Sequence, residues 1–239
     1  MTMPPERVPW SELGPEFIGS WGWPGGKWEP EHLAILGPTG SGKSFFMTHI
    51  IDQRARRSGA NAVIIATKPA DSTMTRLTRT GEWKMRRTWP PSYGEERIIF
   101  WPKATGLAEG VPQQRKAIYE VLAETWKPDA NTIVAFDEIA YVEQDLRLQP
   151  VITKYWREAR SLGITIVATT QRPRYVSRYM HSEPTWSVAF LPSDEDEAKR
   201  VAEIIGGRRK YTEVLMSLEP REFLIIHRRK RLAYISRIA

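Results

Sequence analysis

The 239-residue chain is 41% hydrophobic and 26% charged, enough apolar material for a packed core, which excludes wholesale disorder. It holds no cysteine and four scattered histidines (His32, His49, His181, His227), which excludes disulfides, thiolate nucleophiles and zinc ligands at their usual spacing. No stretch approaches the ~20 apolar residues of a bilayer span and the first 26 residues lack a signal-peptide core, so a cytoplasmic protein with no membrane span is expected, while 35 Lys+Arg against 28 Asp+Glu (+7) fits either a polyanionic partner or simple solubility.

Residues 1–30, rich in Pro, Gly and Trp (Trp10, Trp21, Trp23, Trp28), show neither helical nor alternating periodicity and are expected to form an irregular arm ahead of one domain over 31–239. His32–Gly37 predicts a short buried strand, followed by a glycine-rich turn and a helix from about Lys43 to Arg57 that Ser58-Gly59 closes. Ala62–Thr67 and Arg97–Trp101 predict further strands, Gln113–Trp126 a helix ended by Lys127-Pro128, and Thr132–Asp137 another buried strand. A helix ending at Leu162-Gly163 leads into a strand at Ile164–Thr169. Trp186–Leu191 follows as a strand, Asp194–Ile205 as a helix stopped by Gly206-Gly207, and Glu222–His227 with Leu232–Ile235 as a terminal β-hairpin. Near-continuous apolar strands alternating with helices are what a mostly parallel sheet covered on both faces requires, so the fold class is α/β.

Directly after the first buried strand stand Gly37, Pro38, Thr39, Gly40, Ser41, Gly42, Lys43 and Ser44, a full match to the phosphate-binding pattern G-x-x-x-x-G-K-[ST] in its strand-to-helix context. Glycines there let successive backbone N–H groups curl around phosphate oxygens at the positive end of the following helix. Lys43 is expected on the β- and γ-phosphates of ATP and Ser44 on Mg²⁺. The strand at Thr132 runs straight into Asp137-Glu138. An acidic pair at the carboxyl end of a buried strand lies beside the phosphate loop in this architecture, with Asp137 suited to the Mg²⁺ shell and Glu138 to polarising the attacking water; the plainer reading is an acidic helix start.

The strand at Ile164 ends in Thr170-Gln171-Arg172-Pro173, where the Gln171 amide can report the γ-phosphate or lytic water, although a polar residue at a strand end is ordinary in itself. Arg160 sits in the last turn of the preceding helix, as a cation favoured by the helix dipole or as an arginine finger entering a neighbouring subunit's ATP site.

Together Gly37–Ser44, Phe136-Asp137-Glu138 and the block Glu158-Ala159-Arg160-Ser161-Leu162-Gly163-Ile164 through Ala168-Thr169-Thr170-Gln171-Arg172-Pro173 resemble the FtsK–HerA superfamily of P-loop DNA-pumping ATPases, over roughly Leu33 to Gly207. The resemblance implies a RecA-like (ASCE) sheet, ATP sites between subunits, Arg160 acting in trans, and a homo-oligomeric ring, commonly a hexamer, around double-stranded DNA. A chain this short looks like the viral genome-packaging members, which implies a capsid or membrane-vertex partner and a place in the host cytoplasm or virion. Plasmid-transfer and HerA-like DNA-processing translocases, and a non-motor ATP-binding assembly module, are the alternatives. The doubled Thr169-Thr170, and the lack of any stretch that reads as a DNA-orienting winged helix, depart from the larger members and leave sequence-directed translocation unsupported.

Basic residues gather in three places: Arg76, Arg79, Lys84, Arg86 and Arg87; Arg172, Arg174 and Arg178 with Tyr175 and Tyr179; and Arg208, Arg209, Lys210 with Arg228–Arg231. Each group fits sequence-independent phosphate contact, a solvated face or a subunit interface. The Arg172–Arg178 group is the first choice for DNA because nucleotide state at Gln171 can move it, with Arg76 and Arg79 second.

Overall fold

The computed structural model describes residues 5–21, 30–91, 94–103, 110–206 and 208–238, the side chains of 208 and 209 excepted; Trp23, Trp28, Gly207 and the Arg208 and Arg209 side chains named above lie outside this set. In chain order the elements are β1 (Glu6–Arg7), α1 (Trp10–Ser20), β2 (Leu33–Leu36), α2 (Lys43–Ser58), β3 (Asn61–Ile65), α3 (Ser72–Thr78), β4 (Lys84–Arg86), β5 (Arg97–Phe100), α4 (Val111–Thr125) and β6 (Thr132–Phe136). A π-helical turn (Tyr141–Asp145), α5 (Gln149–Glu158), a 3₁₀ turn (Ala159–Leu162), β7 (Ile164–Thr170), a second 3₁₀ turn (Pro173–Tyr175), α6 (Tyr179–Ser182), β8 (Trp186–Phe190), α7 (Glu195–Ile204), α8 (Arg208–Met216), β9 (Glu222–His227) and β10 (Leu232–Arg237) follow.

The strands form one ten-stranded sheet in the order β1-β10-β9-β8-β2-β7-β6-β3-β5-β4. From β8 to β4 every pairing is parallel, β1 is parallel to β10, and only β9 runs against its neighbours, antiparallel to both β8 and β10. Strands β2, β6, β7 and β8 are buried at every residue, which explains their near-continuous apolar sequences: a parallel strand covered on both faces has no side to leave charged. One face carries the core built with α4, α5, α7 and α8, among them Ile118, Val121, Ile152, Trp156, Val201 and Leu215. The other packs under α1 and α2 through Phe17, Phe46, Met47, Ile50, Phe190 and Phe223. The expected strands and helices are all present with ends shifted by a few residues, and the α/β class with its terminal hairpin stands as read.

The irregular arm is corrected for its described part. Residues 10–20 are helical despite Pro15 inside the helix and Gly14 and Gly19, residues that weaken a helix on local grounds. Tertiary contacts supply what propensity withholds. Leu13, Phe17, Ile18 and Trp21 are buried, Phe17 meets Trp186 edge-on at 4.9 Å, and Trp10 packs on Phe46 and Phe223 at 5.5 and 5.6 Å. The Trp21 indole N–H donates to the Glu31 carbonyl at 3.0 Å, satisfying the polar end of a buried ring. Strand β1 then joins the outer edge of the hairpin, parallel to β10. Elements α3, β4 and α8 were also not anticipated: α3 and β4 are short, lie in the basic stretch after β3 and bury little apolar surface.

Candidate functional site

The parallel strands place the carboxyl ends of β2, β7 and β6 side by side, and this arrangement alone brings residues 37–44, 137–138 and 170–171 together. The segment Gly37–Ser44 joins β2 to α2. At Gly37 a β-carbon would lie 2.8 Å from Cβ of Phe190, so no side chain fits where the loop crosses β8. Gly42, at φ 107°, forms the N-cap of α2 in the left-handed region and offers no side-chain cap, which leaves the first amides of the helix directed at the loop's concavity. Such an end binds anions.

The groups named from sequence converge here, each held by an internal partner. Lys43 Nζ donates to the Pro38 carbonyl at 2.6 Å, and burial pushes the ammonium down to about 8. Ser44 Oγ donates to Asp137 Oδ1 at 2.6 Å, and the Asp137 side chain is fully buried. Glu138 accepts from the Thr170 hydroxyl at 2.9 Å through one carboxylate oxygen and from the Gln171 amide N–H at 3.0 Å through the other. Burial raises the Glu138 carboxyl despite these donors and the nearby Lys43 charge, which work to lower it. The Gln171 side chain accepts from the Thr39 hydroxyl, so the end of β7 is tied to both the P-loop and Glu138.

Sequence reasoning missed one member of the site. Lys68, three residues beyond β3, places Nζ 2.8 Å from Asp137 Oδ2 and 3.3 Å from Asp71 Oδ2, and Asp71 caps α3 by accepting from the N–H groups of Thr73 and Met74. Burial opposes its charge, but the two carboxylates outweigh burial and hold the ammonium above its ordinary value. Only the pairing of β3 with β6 brings it there; a Lys in a Lys-Pro loop carries no signal in sequence.

The donor set fits Mg²⁺: a serine hydroxyl and a carboxylate, hard oxygens 2.6 Å apart beside a phosphate-binding loop, suit an ion that keeps waters and substrate oxygens rather than a full protein cage. Beside Gly40–Gly42 lies a cavity of about 350 Å³ walled by Phe45, Phe190, Phe223 and Ile238, with Arg76 and Arg221 at its rim.

Arg160 is placed elsewhere. It precedes β7 and so stands at the opposite edge of the sheet from its own P-loop, donating to the Pro30 carbonyl at 2.8 Å. Of the basic groups, Arg172, Arg174 and Arg178 are exposed on the segment leaving Gln171, whose loop shares a cavity of about 570 Å³ with Lys68, Glu138 and Gln144. Arg76 stacks on Phe45 at 4.8 Å, beside the P-loop, and Arg79 lines a surface hollow along α3. Others serve the fold: Arg86 pairs with Glu95, Arg87 covers the Trp101 ring, and Arg228 donates to the carbonyls of His181 and Ile204. Among the described residues no helix is long and apolar enough to cross a membrane.

The family model for the central domain of helicase HerA matches residues 28–65, which span β2, the P-loop, α2 and β3. No curated protein matches in sequence. Among solved structures, the genome packaging NTPase B204 of Sulfolobus turreted icosahedral virus 2, in complex with sulfate, superposes with TM-score 0.64 at 14% identity over 88% of this chain and 98% of that one. VirB4 of Thermoanaerobacter pseudethanolicus gives TM-score 0.67 at 10% identity over 87% and 89%. The pCW3 conjugation coupling protein TcpA, bound to ATPγS, gives 0.55 at 14% over 97% and 70%. With a HerA central-domain match across its P-loop and this architecture around it, the chain has the fold of the FtsK–HerA type of P-loop ATPases and resembles that superfamily in sequence and structure.

Proposed function

We propose that this protein hydrolyses ATP and uses the energy to translocate double-stranded DNA, as a homo-oligomeric ring that packages a viral genome. The observation that carries the reading is the meeting of Ser44, Asp137, Glu138 and Gln171 around the P-loop. The backbone amides of residues 40–44 and the Lys43 ammonium would hold the phosphate chain, and Ser44 with Asp137 would hold Mg²⁺. Such an ion would supply positive charge against the phosphate oxygens. Glu138, freed from Thr170 and Gln171, takes a proton from the attacking water, for which a carboxyl raised by burial is better matched than an ordinary one. Gln171, whose backbone N–H donates to Glu138 and whose side chain accepts from the P-loop Thr39 hydroxyl, senses whether the γ-phosphate is present. The position of Arg160, remote from its own P-loop, supports a role in a neighbour's site, where a cation stabilises the transition state.

The packaging reading is supported by the likeness to B204 over nearly its whole length; the likeness to VirB4 and TcpA favours a plasmid-transfer motor as the second reading. Purified protein is expected to hydrolyse ATP faster with long duplex DNA, while Lys43→Ala loses nucleotide binding and Glu138→Gln binds ATP but turns over roughly 100-fold or more slowly. Hydrolysis indifferent to DNA, or intact in Lys43→Ala, defeats the motor reading. Particle imaging with ATP and DNA tests the ring and its stoichiometry, and co-purification with capsid rather than conjugation proteins separates the two settings.

A further inference from the structure

The segment from Gln171 to Arg178, which carries the exposed Arg172, Arg174 and Arg178, is suspended at two points from the turn that follows β6. Its first end is tied to Glu138: the Thr170 hydroxyl and the Gln171 N–H both donate to that carboxylate, and Arg172 N–H donates to Thr170 Oγ1 at 3.0 Å. Its far end is tied to Glu143, whose Oε2 accepts from Ser177 N–H at 2.7 Å, and to Gln144, whose Nε2 donates to the Tyr175 carbonyl at 2.9 Å. Glu143 is 1% exposed, in the π-helical turn Tyr141–Asp145, and Val176 and Ser177 beside its contact are buried as well. Between the two anchors Arg172 and Arg174 face solvent around a 3₁₀ turn (Pro173–Tyr175) whose Pro173 is buried, and Arg178 lies one residue beyond the second anchor.

The two anchors differ in what hydrolysis asks of them. In the proposed reaction Glu138 exchanges its bonds to Thr170 and Gln171 for the attacking water, whereas nothing in the reaction touches Glu143. A segment released at one end and held at the other swings about the held end. A buried carboxylate kept in place for one backbone N–H, in a rare helical distortion that is frequent at functional sites, suits a fixed point.

We propose that Glu143 is a positioning residue, the pivot about which the 171–177 segment turns when Glu138 releases it, so that nucleotide state alters how Arg172 and Arg174 meet DNA phosphates. The inference rests on the translocase reading and names the route from its ATP site to its DNA surface. Gln144 steadies the same end from the exposed side of the turn.

The test compares the affinity for a fluorescent duplex in the presence of ATPγS and of ADP, together with basal ATPase rate, for the full chain and for Glu143→Ala, Glu143→Gln and Gln144→Ala. The wild-type protein is expected to bind DNA with affinities that differ between the two nucleotides by about 10-fold or more, the effect of one charge-assisted hydrogen bond made in one state only. Glu143→Ala brings that ratio to within about 2-fold with basal hydrolysis little changed, Glu143→Gln, which keeps an acceptor for Ser177 N–H, restores most of it, and Gln144→Ala, a substitution at an exposed site that tests the idea even if Glu143→Ala fails to fold, lowers it in part. An unchanged ratio in all three variants overturns the proposal, and so does a fall in affinity that is equal with both nucleotides, which marks Glu143 as a structural support only. If the wild-type protein binds no duplex, the translocase reading itself fails, and the pivot with it.

Discussion

Lys68 gives the sharpest single test of the site's electrostatics. Its ammonium lies 2.8 Å from an oxygen of Asp137, a side chain with no exposure, while Lys68 itself remains 35% exposed. Removing one partner of a fully buried pair costs about 3–5 kcal/mol, because the remaining charge has neither water nor counter-ion. Solvent around Lys68 screens part of that, and about 1–2 kcal/mol is expected for Lys68→Met, which preserves the apolar stem. For a chain of this size the melting temperature in EDTA then falls by about 2–8 °C. With Mg²⁺ and ATPγS present, the metal supplies the positive charge that Asp137 lost, so most of the deficit should vanish. Thermal melts of wild type and variant under the two conditions read this directly. A deficit of equal size with and without Mg²⁺-nucleotide, or none in EDTA, refutes the view that Lys68 stands in for the cation at Asp137.

Two further outcomes follow from the packing. His32 is fully buried, its Nδ1 accepts from Ile166 N–H at 3.1 Å, and burial, together with the Arg160 and Arg54 charges, pushes its pKa down to about 3. Because the folded pKa lies below the unfolded value of 6.5, the unfolded chain binds the proton first, and this contribution is complete above pH 6.5 and is lost as pH falls toward 3. His32→Asn, which keeps an acceptor near the Nδ1 position, should be less stable at neutral pH but flatten urea-unfolding free energies between pH 6.5 and 4; an unaltered slope contradicts the assignment. Phe17→Ala should remove about 3–5 kcal/mol, since the ring is 1% exposed between Trp21 and Trp186. A loss below about 1 kcal/mol in denaturant titration would mean α1 is not an integral part of the fold.

Much of the fold was legible because its strands are buried on both faces and so read as apolar runs, and because the P-loop and the Asp137-Glu138 pair combine unusual residues over short spans. Elements with little apolar surface were not legible. Strand β4 is a three-residue edge strand, α3 is a seven-residue helix with Met74 as its buried residue, and their sequence reads as a basic stretch. In α1 the local signals point away from helix, and burial of Leu13, Phe17 and Ile18 overrides them. The basic clusters show the converse limit. Sequence counts charges, but Arg228 donates to backbone carbonyls inside the fold and Arg76 lies against Phe45 beside the P-loop, neither of which residue spacing reveals.

By itself the sequence determined the α/β class, the phosphate loop, the order of the carboxylate and amide groups along the chain, and the kinship these suggest, because each is a local pattern of a few adjacent residues. Only the tertiary structure decided which groups touch. Strand order sets β7 between β2 and β6, so Gln171 reaches both Thr39 and Glu138, and pairing of β3 with β6 delivers Lys68 to Asp137. The same parallel register sends Arg160 to the far edge of the sheet, away from the site it follows in sequence. Those distances depend on contacts between residues far apart in the chain, which the pairing of strands fixes and residue spacing does not.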